Sequence, residues 1–378
     1  MNRNFSAVIL GALSLTPLFT TANEKPDHEC TSWMVFHDLT KNNTNILHKN
    51  RDSVSKGVSL YMSDPGAARK WIASGNNGST TMALNASGLA GVMNSGEKCI
   101  HPTSDKTKKG TPAILKEIIS TCDTAAEAVE KLKQFINDKD YYHGEKGSIF
   151  FFLDKNEGYI CELTAEVCLV QPYKNGYAVR ANIWQNPQMM KYSRNDVRSY
   201  LNSSARAYIA YTHLNQALDK NGKIRLFDIF DMSRHCKMPD ESSEKRSVCF
   251  KFTNSSASLE IDRQYPDVLS SGYFTIGHPR HTVYVPVPVC AGKLHPAMSD
   301  SSWSNQALKR FDSLGLEAPL PESWLKFEKE SMEKYFKAKE EARNLLDKGK
   351  RAEAVKLLNT AAETIWNEAA VLLELNKK

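Results

Sequence analysis

The chain has no CxxC pair and no Cys/His cluster at zinc-ligand spacing. It has no GxSxG elbow, no HExxH pair and no glycine-rich loop behind a strand, which removes the usual signatures of serine hydrolases, zinc proteases and nucleotide binders. Its basic residues are spread along the chain without interleaved aromatics, so the positive excess does not read as a nucleic-acid surface. No repeat period recurs. Beyond the first 22 residues no apolar run approaches a membrane-spanning length. No cofactor and no metal are therefore expected.

What is present is ordinary in bulk. Of 378 residues, 41% are hydrophobic and 24% charged, and the mean hydropathy is −0.46, which suits a soluble protein with a sizeable core. The start, MNRNFSAVILGALSLTPLFTTA, has a basic residue at Arg3, an apolar run from Phe5 to Phe19, and small residues Thr20 and Ala22 at the −3 and −1 places of a cleavage site. Residues 1–22 read as a signal peptide, and the expected location is secreted or periplasmic. From Cys30 onward 47 basic residues face 40 acidic ones, a charge of +7 that favours anionic ligands mildly. Export would permit disulfides among the eight cysteines. Cys236 and Cys249 flank the polar loop CKMPDESSEKRSVC and are the expected bridge.

Past Cys30 the pattern is mostly strands. TSWMVFHDL and TNILHKNRD are joined by a polar turn, as in a hairpin. STTMALNASGLAGVMNSG reads strand, Asn/Gly turn, strand. Two amphipathic helices follow, broken at Thr121–Thr124. GSIFFFLD, GYICELT, EVCLVQPY and GYAVRANI read as a four-strand meander, SYLNSSARAYIAYTHLNQAL as a helix, and HTVYVPVPVC as a late strand. From about Pro321 the chain becomes rich in Glu, Lys, Ala and Leu, predicting two or three helices with a break at DKGK. The order predicts an α+β layered domain over residues 30–320, with a helical extension over 321–378, packed on the domain rather than standing alone.

Four stretches carry candidate chemistry. Cys30 opens the first strand, with Thr31 and Ser32 behind it. KNRD (Lys49–Asp52) ends its hairpin partner, which brings Asp52 back beside Cys30. LNASGLAGVMN ends on Asn94. ANIW holds Asn182, and SAR holds Arg206. Together these resemble the N-terminal-nucleophile cysteine amidohydrolases: choloylglycine hydrolases, penicillin V acylases and the acyl-coenzyme A:6-aminopenicillanic acid acyltransferase family. The resemblance spans about Cys30 to Arg206. It implies a four-layer αββα sandwich, and it implies that residues 23–29 are a short propeptide removed by the protein itself.

The chemistry needs these residue types. An N-terminal cysteine carries a thiol and an α-amine, and the amine, with a pKa of about 7.7–8.0, serves as the base for the thiol. The thiolate attacks an amide carbonyl and gives a thioester that water resolves. The resemblance implies that Asp52 orients the amine and thiol, that Asn182 (side chain) and Asn94 (backbone N–H) hold the oxyanion, and that Arg206 supports the nucleophile. One departure is Lys49, where bile-salt and penicillin-type members have arginine; Arg51 shares its strand parity. The expected substrate is a small linear amide, with no nucleic-acid partner and no membrane span once the leader is gone; self-association stays open. Two other readings remain. One is an acyltransferase of the same family, or a related dipeptidase that also opens with Cys-Thr. The other is a non-catalytic secreted binding protein whose cysteines are structural.

Overall fold

The computed structural model describes residues 29–64, 66–194, 197–237 and 247–375. The expected signal peptide and all of the expected propeptide except Glu29 lie outside the described residues, as does most of the loop between Cys236 and Cys249.

Among the described residues thirteen strands form two antiparallel sheets. The six-stranded sheet runs β10 (Tyr177–Arg180), β1 (Cys30–Val35), β2 (Asn45–Asp52), β11 (Thr253–Ile261), β12 (Ser271–Ile276), β13 (Val285–Pro288). The seven-stranded sheet runs in chain order: β3 (Val58–Met62), β4 (Trp71–Asn76), β5 (Met82–Asn85), β6 (Ala90–Lys98), β7 (Lys146–Leu153), β8 (Gly158–Leu163), β9 (Cys168–Tyr173). Both faces of each sheet are covered, and the alternation along β7 shows how. Ile149, Phe151 and Leu153 point into the core between the sheets, whereas Phe150 and Phe152 join the cluster under the helices Thr111–Thr121 and Ala125–Asn137. The helices Val197–Asn221, Leu226–Ser233, Glu322–Asp347 and Arg351–Leu372 pack on the six-stranded sheet. The result is the expected α+β arrangement of helix, sheet, sheet and helix.

Local signals explain the elements the site depends on. The β1–β2 hairpin pairs Cys30 with Arg51 and Ser32 with Lys49. In the β5–β6 turn, Asn85 Oδ1 accepts from the backbone N–H of Ser87 and Leu89, and Gly88 takes φ +82°, a conformation open to glycine. Thr124 caps the second amphipathic helix by accepting from Glu127 N–H.

Two expectations need correction. The four-strand meander is a three-strand one: β7–β8–β9 stay in one sheet, and β10 crosses to the other, where it pairs with β1. That crossing sets the segment after β10 beside Cys30. The Cys236–Cys249 bridge is absent, and all eight cysteines are free thiols. Cys249 is buried with its Sγ 3.8 Å from His278 Nε2. Four strands lacked a strong sequence signal: β3, β4, β11 and β12.

The C-terminal helices are part of the core cluster through Met332, Tyr335, Leu358, Ile365 and Trp366. Trp366 Nε1 donates to Pro286 O at 2.7 Å. Glu328 grips Arg234 through both oxygens, at 2.8 and 2.6 Å. The extension is thus fastened to the six-stranded sheet by apolar burial and by the Lys339–Glu260 pair to β11, at 2.5 Å, while the Glu328–Arg234 pair ties it to the end of the helix Leu226–Ser233.

Candidate active site

Cys30 lies at the first position of β1, 4% exposed, and Glu29 precedes it in an uncut chain. Pleating divides its surroundings into two faces. On the face toward the other sheet stand Ser32, Lys49 and Arg51. Lys49 is hydrogen-bonded to the Cys30 side chain and also donates to Met93 O. Arg51 is held by Asn76 Oδ1 and, at 3.1 Å, by Asn254 Oδ1. Burial lowers the pKa of both cations, and the thiol beside them opposes the shift. The shared parity of Lys49 and Arg51 therefore brings two basic side chains to the thiol.

The other face turns toward the helix Val197–Asn221, which delivers Arg206. Its guanidinium is fully buried and works like a clamp. Nη1 donates to Cys30 O at 2.7 Å and to Thr31 Oγ1 at 3.2 Å. Nη2 donates to Asn182 Oδ1 at 2.9 Å and to Ser203 Oγ at 3.3 Å. The same Asn182 oxygen accepts the backbone N–H of Cys30 at 2.9 Å, and Asn182 Nδ2 donates to Ser95 O at 2.7 Å. The fork geometry of arginine suits this multiple grip.

Asp52 sits near this clamp. Its Oδ1 accepts from Thr253 Oγ1 at 2.6 Å, and its carboxylate is 4.0 Å from Arg206 Nη1. Oδ2 is buried with no hydrogen-bond partner. Burial pushes its pKa up to about 7, against the pull of Arg206 and Thr253 and with a further push from Glu29. The backbone N–H of Asp52 donates to Glu29 O, the carbonyl of the Glu29–Cys30 peptide bond, at 2.8 Å.

The structure thus brings Cys30, Asp52, Asn182 and Arg206 together. Asn94 is nearby on β6, accepting from Ser32 Oγ at 2.8 Å and donating to Ala181 O at 3.2 Å. Asn182 and Asp52 make further contacts in the chain that still carries Glu29. In the uncut chain Asn182 accepts from Cys30 with its oxygen, and its donor nitrogen is taken by Ser95. The hydrogen-bond donor aimed at the Glu29 carbonyl is the Asp52 backbone. Sequence reading gave no site role to Thr253, Asn76, Asn254, Ser203 or Asn202; only proximity in the fold reveals them. A cleft of about 220 Å³ opens beside the end of β2, lined in part by Ser53, Lys56, Phe252, Thr253, Asn254 and Phe311.

No protein-family model matches the chain, and no curated protein matches it. Among solved structures it is similar to penicillin V acylase from Agrobacterium tumefaciens, at 14% identity over 68% of this chain and 86% of that one, with a TM-score of 0.45. It is also similar to a mutant conjugated bile acid hydrolase from Clostridium perfringens, at 9% identity over 68% and 92% of the two chains, with a TM-score of 0.45.

Proposed function

We propose that the chain is an exported, self-processing cysteine amidohydrolase of the N-terminal-nucleophile class, in which Cys30 cleaves a small linear amide through a thioester. The observation that carries this reading is the state of the Glu29–Cys30 peptide. Its carbonyl oxygen accepts from Asp52 N–H at 2.8 Å, its nitrogen donates to Asn182 at 2.9 Å, and the residue that follows the bond carries a buried free thiol.

This arrangement supports self-cleavage. Cys30 Sγ attacks the Glu29 carbonyl carbon, and the charge that develops on the oxygen meets the Asp52 N–H. The C–N bond breaks, the Cys30 nitrogen takes a proton, and a C–S bond joins Glu29 to the thiol. Water then releases the Glu29 carboxylate and leaves Cys30 with a free amine and a free thiol. In turnover the amine takes the thiol proton, Sγ attacks the substrate carbonyl, and the amine passes that proton to the leaving nitrogen. Asn182 holds the amine, and Arg206 holds Asn182 and the Cys30 carbonyl, so the nucleophile and its base stay in one geometry.

Structural cysteines fit less well, since Cys30 has no disulfide partner. The test is the intact mass and N-terminal sequence of the exported protein beside Cys30→Ala. The proposal expects a wild-type chain beginning at Cys30 and a variant that keeps residues 23–29. A wild-type chain that keeps them too, after folding, removes the catalytic amine and overturns the reading.

A further inference from the structure

The self-cleavage intermediate and the turnover intermediate are the same kind of species, an acyl group on Cys30 Sγ. Glu29 is therefore the first acyl group the site must hold, and its surroundings describe an acyl subsite. Its carboxylate is gripped at both oxygens. Oε1 accepts from Asn202 Nδ2 at 3.2 Å, and Oε2 lies 3.3 Å from Arg206 Nη2. Both partners are at least nine-tenths buried. Each also keeps a buried polar atom without a partner, Asn202 Oδ1 and Arg206 Nε. The Arg206 N–H is a further buried donor open to an anion, whereas Asn202 Oδ1 is an acceptor and adds nothing to carboxylate binding. When Glu29 departs, the Asn202–Arg206 pair loses its anion. Buried Asp52 is the only carboxylate in contact range of the Arg206 guanidinium besides Glu29 among the described residues.

We infer that the mature site takes amides whose acyl half carries a carboxylate where Glu29 carries its own, with three carbons between that carboxylate and the scissile carbonyl: α-glutamyl or pentanedioyl amides. This rests on the amidohydrolase reading above. The released product is the free acid of that acyl group. The C–N bond breaks, a C–S bond forms and is hydrolysed, and the amine leaves with the proton from the Cys30 amine.

The test uses the exported chain beginning at Cys30, with N-acetyl-glutamyl-, N-acetyl-glutaminyl- and N-acetyl-leucyl-p-nitroanilide, reading p-nitroaniline release. The glutamyl amide is expected to be preferred over the isosteric glutaminyl amide by about 10- to 100-fold in kcat/KM, the range of charge-assisted hydrogen bonds. Asn202→Leu is expected to lower that ratio several-fold, mainly through KM, because Arg206 remains. In the uncut chain Glu29→Gln is expected to slow self-cleavage. Turnover with equal or better use of the glutaminyl or leucyl amide overturns the carboxylate subsite and leaves the amidohydrolase reading standing. No turnover of any of the three, or of a wider panel of N-acyl amides, by a chain shown to begin at Cys30 overturns that reading, and the subsite with it.

Discussion

Asp52 makes the most exacting test of the site's electrostatics. Its carboxyl is 2% exposed, has one hydrogen bond at 2.6 Å from Thr253, and reaches Arg206 only at 4.0 Å. Desolvation outweighs these partners and pushes its pKa up to about 7. Between the ordinary carboxylate value and 7 the folded chain keeps a proton that the unfolded chain gives up. The stabilising contribution is therefore complete below about pH 4 and is lost as pH rises through about 7. At about 1.4 kcal/mol for each pH unit, the loss is on the order of 4 kcal/mol. The assay is urea unfolding of full-length Cys30→Ala, which under the proposed function keeps residues 23–29, with and without Asp52→Asn, from about pH 4 to pH 8. The chain that keeps Asp52 should lose about 4 kcal/mol relative to the Asp52→Asn chain across that window. His48, whose pKa burial lowers to about 3, acts in the opposite sense, but it is common to both chains and cancels in the difference. A difference that stays flat within about 1 kcal/mol would show a carboxylate ionised throughout, with Arg206 outweighing burial.

Three further outcomes follow from packing and pairing, each read from urea denaturation midpoints. Asn182→Ala strands the Cys30 N–H, one Arg206 contact and the Ser95 carbonyl, and should cost about 2–4 kcal/mol while slowing self-cleavage. Gly147→Ala would put a Cβ well inside contact distance of both Leu163 O and the Trp184 ring, two residues past Asn182, and should cost about 1–3 kcal/mol; an unchanged midpoint would mean the Trp184 shelf yields freely. Glu328→Ala leaves Arg234 buried without its anion and should cost about 3–5 kcal/mol, which would confirm that the C-terminal helices are fastened by that pair.

Much of this was legible in the sequence, for reasons that can be located. The β1–β2 hairpin is written in two apolar runs and a polar turn, and strand parity alone places Lys49 and Arg51 on one face. The helix break at Thr121–Thr124 is a cap signal. Other parts left no local trace. β11 carries Ser255, Ser256 and Ser258, poor strand formers, and its apolar alternation is short, confined to Ala257, Leu259 and Ile261. It is central because its hydroxyls are answered by His48 and Tyr284 from neighbouring elements. Thr253, at its start, was invisible for the same reason. β10 reads as one more meander strand, since nothing within it says which sheet will take it. Asn182 and Arg206 stood out only through the motif resemblance, because the contacts that unite them with Cys30 span more than 150 residues of chain.

That last separation has a consequence for timing. The partners of the Glu29–Cys30 bond lie 152 residues away at Asn182 and 176 residues away at Arg206, and Thr253 reaches Asp52 across 201. A chain still emerging from synthesis or crossing a membrane has made none of these contacts. Its cysteine is then an ordinary thiol beside an ordinary peptide bond. Under the proposed function the cut works as a proofreading step: only a chain that has closed both sheets and docked the Arg206 helix can sign its own release, and an unfinished one stays inert.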